Sequence, residues 1–309
     1  MDIWMIFQQM LVLLILIIIG VVAAKTGVID EETNRRFTAL TLIIPQSCMI
    51  LGSVINSDLD LAPGRVFLVL GISCVSYFIL ALLGLAVSAA AGRKNPDRGV
   101  YNFMTIFGNV GFMGIPIVGS IFGDGARVYA ALANIPFNFL AYTYGISLLK
   151  SRGERGKIDW MLLVNPPLIA SLAAVLLLCL HVTVPKPLAQ AVGLLGDMVV
   201  PCSMLIIGAS LGAQKLGEVF GDWRAYAFAP VRLLIAPVVL WAVLRLIVHD
   251  AVLLGTLTVL GAMPVASLAT MLSIQYGGNV QRASRTVFVT TVLSVVTVPV
   301  VCWLLPLGG

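Results

Sequence analysis

Ten apolar stretches, each about as long as a bilayer's hydrocarbon core is thick, follow one another along the 309 residues. They run over 4–24, 36–54, 66–91, 99–122, 128–149, 161–180, 188–212, 225–247, 251–276 and 286–305. About twenty apolar residues cross a membrane as an α-helix. Connections are short, and no polar block of domain size interrupts the series. A water-soluble domain cannot hide this much apolar surface. Of the residues, 60% are hydrophobic and 11% charged, with mean hydropathy +1.03, where globular chains are nearer a quarter charged. The expected fold class is an all-α polytopic membrane protein with ten transmembrane helices. The first stretch ends in VVAAK, loosely like a signal peptide. It is longer than a signal core and no basic residue precedes it, so a retained helix is expected.

The net charge of +5 has a membrane explanation. With the N-terminus outside, the inner loops receive Lys25, Arg35, Arg36, Arg93, Lys94, Arg98, Lys150, Arg152, Arg155, Lys157, Lys215, Arg224, Arg282 and Arg285. The outer side receives only Arg65, Arg127, Lys186 and Arg245, and Arg232 lies within a stretch. This asymmetry predicts a multi-pass protein of a cytoplasmic (inner or plasma) membrane, both termini outside and the central linker cytoplasmic. No dense basic patch exists to suit nucleic acid. The five cysteines lie in apolar stretches without a CxxC pair, and there are two histidines. No metal site and no cofactor are expected.

The sequence repeats itself. IIPQSCMILGSVI (43–55) lies over VVPCSMLIIGASL (199–211), with Pro45, Ser47 and Gly52 matching Pro201, Ser203 and Gly208 at constant spacing. MGIPIVGS (113–120) in the fourth stretch matches GAMPVASL (261–268) in the ninth in kind. The chain then divides into a first five-helix repeat (1–149), a cytoplasmic linker (150–160) and a second repeat (161–309). Five is odd, so the second repeat must be inverted relative to the first, the plan of secondary transporters.

FGNVGFMGIP (107–116) places Asn109, Gly111, Gly114 and Pro116 near the middle of a membrane crossing. Glycine and proline are the poorest helix formers, and asparagine wants partners that lipid lacks. Pro116 removes a backbone donor and crowds the carbonyl of residue 112. Pro264, with Gly261 before it and Ala266 and Ser267 after it, can do the same in the ninth stretch. The fourth and ninth helices are therefore expected to be broken and to cross. Their half-helix N-termini, each worth roughly half a positive charge, would converge where an anion can bind. Backbone unpaired at this depth is tolerated only inside protein or beside water. Gly108 alone is read as a packing surface.

These residues carry a family resemblance. GNVGFMGIP resembles the fourth-helix motif of the auxin efflux carrier family of permeases, which includes the plant PIN exporters. The likeness continues in VVPCSMLIIGASL, in MPVASLATMLSIQYG and in TTVLSVVTVPVV (290–301), nearly the whole chain. The resemblance implies ten helices in two inverted repeats, crossing at prolines matching Pro116 and Pro264. It further implies a scaffold half (first, second, sixth and seventh helices), a moving transport half, and often a homodimer. Asn109 matches the asparagine that binds substrate carboxylate in plant members. The linker 150–160 departs from the long hydrophilic loop of many plant members, which argues against auxin itself. Bacterial-type relatives are associated with malonate or malate.

Other polar groups lie deep in the stretches. Asp197 can carry a coupling proton or pair with Arg232, and Arg232 can instead bind an anion; charges at such depth face partners or cavities. Gln46, Ser47 and Ser203 can line the scaffold side of the site or bond their own backbone. Asn134 and Asn138 share a helix face and are read as cross-links between helices, Asn165 as part of a bend before Pro166, and His181 as interfacial. The expected function is secondary transport of small organic anions, carboxylates such as malonate, malate or auxin-like acids, by a transport half moving against a scaffold half. The expected partners are such an anion, the lipid bilayer and a second copy of the chain. A channel, a transporter-like sensor, and a carrier of amino acids or neutral solutes are the alternatives. An enzyme is not expected: the GxxGxxG run lacks the preceding strand of a dinucleotide fold, and no HExxH is present.

Overall fold

The computed structural model of the chain describes residues 3–55, 63–92, 95–150, 166–180, 182 and 184–305. Most of the linker expected at 150–160, together with Asn165 and His181, lies outside the described residues. Apart from one isolated bridge, the regular structure described is helical. The elements are α1 (Ile3–Lys25), α2 (Glu31–Ile43), α3 (Pro45–Ile55), α4 (Pro63–Ala90), α5 (Arg98–Ile106), α6 (Ile115–Phe122), α7 (Asp124–Leu140), α8 (Ile146–Leu149) and α9 (Pro166–Leu180). The series continues with α10 (Lys186–Asp197), α11 (Val199–Gly212), α12 (Leu216–Phe220), α13 (Trp223–Pro230), α14 (Ala236–Leu244), α15 (Ala251–Ala262), α16 (Leu268–Tyr276) and α17 (Val280–Leu304). Wider π-helical turns occupy Val110–Gly114, Ala141–Gly145 and Val231–Ile235.

Five helical stretches are long and apolar enough to cross a bilayer: Glu31–Ile55, Gly64–Ala90, Lys186–Gly212, Gly217–Leu244 and Val280–Leu304. Leu11–Lys25, Pro166–Leu177 and Ala251–Ala262 are shorter apolar helices. The outer faces carry exposed Phe67, Phe78, Leu82, Leu176, Leu246 and Val296. Such faces are stable only against hydrocarbon, so this is a polytopic membrane protein.

Two groups of helices pack mainly among themselves. α1 and α2 lie against α11, and α3 lies against α9 and α10. α4 packs on α5 and α7, α14 on α15, and α17 on α13 and α16. The α1–α11 contact is backbone against backbone: a Cβ on Gly208 would overlap the Ile17 carbonyl, and one on Gly20 would sit 2.9 Å from Leu205 Cα. Lipid offers no hydrophobic drive between helices, so close approach through small residues supplies the dispersion energy. The matched prolines Pro45 and Pro201 stand just after local breaks, Pro45 opening α3 and Pro201 lying in the first turn of α11.

One end of the second group is tied by charge. Arg282 on α17 pairs with Asp97, ahead of α5, and with Asp222, the N-cap of α13. Arg285 reaches Glu218 on α12 at 3.0 Å and the Gln214 carboxamide beyond α11. Asn279 caps α17 and donates to Asp97 at 2.8 Å.

Candidate functional site

The fourth and ninth stretches are both interrupted. α5 ends at Ile106, Phe107 is extended, and helical geometry resumes with the π turn Val110–Gly114 leading into α6. α15 ends at Ala262, Met263 is extended, and α16 begins at Leu268. The two interruptions cross and pair as antiparallel backbone, Gly108 opposite Val265. Asn109 N–H donates to the Pro264 carbonyl at 2.8 Å, and Ala266 N–H donates to the Phe107 carbonyl at 3.0 Å. Val265 N–H donates to Thr290 Oγ1 of α17 at 3.2 Å. Each break thereby satisfies the other, which is how irregular backbone survives at this depth.

The interruption of the fourth stretch falls at 107–109, not at Pro116 as expected. Pro116 is the second residue of α6 and follows the π turn directly, so the helix is already running there: Ile115 N–H donates to the Val110 carbonyl. The wider π turn before it, with Gly114 N–H reaching back to the Asn109 carbonyl at 3.1 Å, makes room for a residue without an N–H. Pro264 stands in the crossing itself and supplies only its carbonyl.

A small cavity of about 20 Å³ adjoins the crossing. It is lined by Gln46 and Met49 of α3, Gly108, Asn109 and Gly111, Asn134 and Phe137 of α7, and Ala266, Ser267 and Leu268. That volume holds about one water molecule. Asn134 Oδ1 and Ser267 Oγ are buried without a hydrogen-bond partner. No lining residue is ionisable. The helices that follow the crossing, through Val110 and Leu268, begin at this cavity, so their first-turn N–H groups and positive dipole ends border it.

Of the residues singled out in the sequence, Asn109, Gly111, Ala266 and Ser267 meet at the cavity. Gly114 does not line it; a Cβ there would press on Leu260 Cδ2 at 2.6 Å, so its smallness serves packing on α15. Ser47 and Ser203 are absent from the lining: their hydroxyls donate to the carbonyls of Ile43 (2.7 Å) and Val200 (3.0 Å), a local bond shorter than any reach into the cavity. Gln46, one residue before Ser47 and therefore on another face, turns inward from α3 together with Met49. Asn138 does not cross-link helices; it donates to the Asn134 carbonyl one turn back at 2.7 Å. Asn134 meets the cavity instead, a placement only its helix rotation decides.

The expected pairing of Asp197 with Arg232 is not formed. Asp197 ends α10 on an exposed face, while Arg232, 1% exposed, lies in the π turn of the eighth stretch. Arg232 Nε donates to the Met263 carbonyl at 2.9 Å and Nη1 to the Thr105 carbonyl at 2.8 Å. These carbonyls end α15 and α5, the half-helices that enter the crossing. The guanidinium lies against Gly108, where a Cβ would overlap it. Arg232 is thus separated from the cavity by one thickness of backbone. On one side of the crossing a cation meets carbonyl ends; on the other, N–H ends and amide side chains meet the cavity.

The sequence profile of the family described as membrane transport protein matches residues 5–302. An uncharacterised transporter of Methanothermobacter thermautotrophicus is 26% identical over 297 residues, 94% of this chain and 96% of its own. A Rhizobium meliloti protein described as a "putative malonate transporter" is 25% identical over 250 residues, 77% of this chain and 76% of its own. An uncharacterised transporter of Methanocaldococcus jannaschii is 24% identical over 306 residues, 96% and 97% of the two chains.

Proposed function

This chain belongs to the membrane transport protein family of auxin efflux carrier type, and from that premise we propose that it carries small organic anions, carboxylates in particular, by alternating access. One observation carries the reading. The two helices that resume after the crossing start at one cavity lined by neutral hydrogen-bond donors, the amides of Gln46, Asn109 and Asn134 and the hydroxyl of Ser267. Aligned N–H ends and carboxamides suit a carboxylate, and no acidic side chain in the lining repels one. Malonate, named in one relative's description, is the first candidate; malate and auxin-like acids follow.

The site must open to work, because about 20 Å³ holds a water and not a carboxylic acid. Its walls come from both helix groups. Gln46 and Met49 belong to α3, packed with α9 and α10, while the rest come from the crossing, α7 and α16. In this reading 1–149 and 161–309 are inverted five-helix repeats, the α1–α3 and α9–α11 group is the scaffold, and the crossing rides on the moving half. Asn109 donates to the carboxylate, with Gly111, Ala266 and Ser267 beside it; Gly114, Pro116 and Pro264 shape the crossing, and Ser47 and Ser203 support the scaffold wall. Asp197 shares an exposed α10 face with Gln190, seven residues earlier, in the middle of a membrane crossing. A carboxylate facing lipid there is costly, so a second copy of the chain covers that face. Both termini lie outside a cytoplasmic membrane.

Thermal melting of the purified protein against small carboxylates, with Asn109→Ala in parallel, tests the reading. A ligand at a hundredfold excess over its Kd adds about 2.7 kcal/mol to stability. A carboxylate that raises the melting temperature of wild type but not of the variant supports the assignment. Equal stabilisation of both moves the site away from Asn109, and stabilisation by neutral solutes alone refutes the anion.

A further inference from the structure

We infer that Arg232 is a built-in cation, held where a carrier of this architecture would otherwise need a dissociable alkali ion. Unwound carbonyls and half-helix C-termini are the places where Na⁺ is coordinated in transporters with broken helices. Here the two such ends that meet, Thr105 of α5 and Met263 beyond α15, are both taken by one guanidinium, at 2.8 and 2.9 Å. Among the described residues no carboxylate pairs with it. The charge balance accounts for that. Each helix C-terminus carries about half a negative charge, so two converging ends amount to about one, which a single guanidinium offsets. A monovalent ion would offset it equally.

Three features make the position a site for a tethered ion and not an accident of packing. Gly108 leaves room for the guanidinium, since any Cβ there would overlap it. Arg232 also borders a second cavity of about 20 Å³, whose otherwise apolar lining includes Ser76 and Tyr77. Finally, the π turn Val231–Ile235 that bears Arg232 is flanked by Pro230 and Pro237, which fixes where the side chain enters. Because Arg232 binds both crossing segments, the charge stays with the crossing through any movement. The wild-type protein then needs no sodium or potassium ion at this position, either to hold the crossing together or to transport. Removing the side chain turns the two carbonyls and the enlarged cavity into an alkali-ion site, hard oxygen ligands being those such ions take.

The test uses melting in detergent without substrate, so its outcome is independent of whether a carboxylate is the cargo. Wild type, Arg232→Ala and Arg232→Lys are melted in sodium, potassium and choline chloride at equal ionic strength. Wild type is expected to melt alike in all three. Arg232→Ala is expected to melt lower in choline and to regain at least half of that loss in sodium or potassium. Arg232→Lys, which keeps the charge, is expected to melt alike in all three salts. A wild type that needs sodium, an Arg232→Lys that responds as the alanine variant does, or an Arg232→Ala equally unstable in every salt overturns the inference; the last leaves Arg232 a clamp and nothing more. If Arg232→Ala cannot be purified, the same melts are run in unpurified membranes, where failure in all salts counts against it.

Discussion

Gly108→Ala adds one methyl group to the crossing, and the structure sets its consequence. Gly108 does not have a positive φ, so alanine meets no backbone strain there. The obstacle is space: the new Cβ would overlap the Arg232 guanidinium, with the Met263 carbonyl at 3.2 Å beside it. The crossing backbone is fixed by its own hydrogen bonds, so the guanidinium must move and release its carbonyls. Two hydrogen bonds from a charged donor, each worth about 1.5–3 kcal/mol, are at risk. The expected loss is about 3–6 kcal/mol, a large share of a typical folding stability of about 5–15 kcal/mol. Gly111→Ala is the internal control. Its Cβ would find Asn134 Nδ2 and Met49 Cε at 3.7 Å, ordinary contact, and would intrude only on the cavity. The assay is thermal melting of both variants in the same detergent, followed by ligand-induced stabilisation. Gly108→Ala is expected to melt far below wild type. Gly111→Ala is expected to melt near wild type while losing affinity for ligand. If Gly108→Ala melts as Gly111→Ala does, Arg232 is not held where its two carbonyl bonds require.

Three further outcomes follow from the packing. Gly208→Val drives a side chain into the Ile17 carbonyl and should cost about 1–3 kcal/mol or more, visible as a lowered melting temperature; Gly71→Val, with nothing within 4 Å of its Cβ, should melt as wild type does. Arg282→Gln removes the nearer of the two guanidinium groups at Asp222, 6% exposed, leaving Arg285 at 3.7 Å, and should destabilise by about 1.5–3 kcal/mol, whereas Arg35→Gln, whose partner Glu32 is 47% exposed, should leave melting unchanged. Asp250 caps α15 through Leu253 N–H at 2.9 Å and pairs with Arg65. Asp250→Ala should therefore melt lower than Asp250→Asn, which keeps the cap, by about 1 kcal/mol in unfolding free energy.

Much of this protein is local and was therefore open to reading from residues alone. Whether a segment can cross a bilayer depends on its own length and composition, and five crossings are recognisable on that ground with ends up to eight residues adrift. That the fourth and ninth stretches break is also local, since Gly108, Asn109 and Pro264 disfavour helix wherever they stand. The first break does not fall at its proline because a wider π turn just before Pro116 accommodates a residue that an α-helical interior would not. Whether such a turn forms there depends on where the chain unwinds upstream.

The choice of side chains at the cavity belonged to the tertiary structure. Gln46 and Ser47 are adjacent, and Asn134 and Asn138 are one turn apart, yet one of each pair meets the cavity and the other bonds its own helix. For α3 the difference is a rotation about its axis, and for α7, whose two asparagines share a face, it is height along the axis; both are set by contacts with helices distant in sequence, such as Gly196 of α10 against the backbone of Met49. Arg232 shows the same limit. A buried charge announces in sequence that it needs a partner, and Asp197 is the one acid that lies inside an apolar stretch. The partners were backbone carbonyls, which every residue carries, and only the meeting of α5 with α15 placed two of them, Thr105 and Met263, around one guanidinium. Local chemistry fixes where a chain cannot remain helical; which groups then meet across the break is decided by packing at long range.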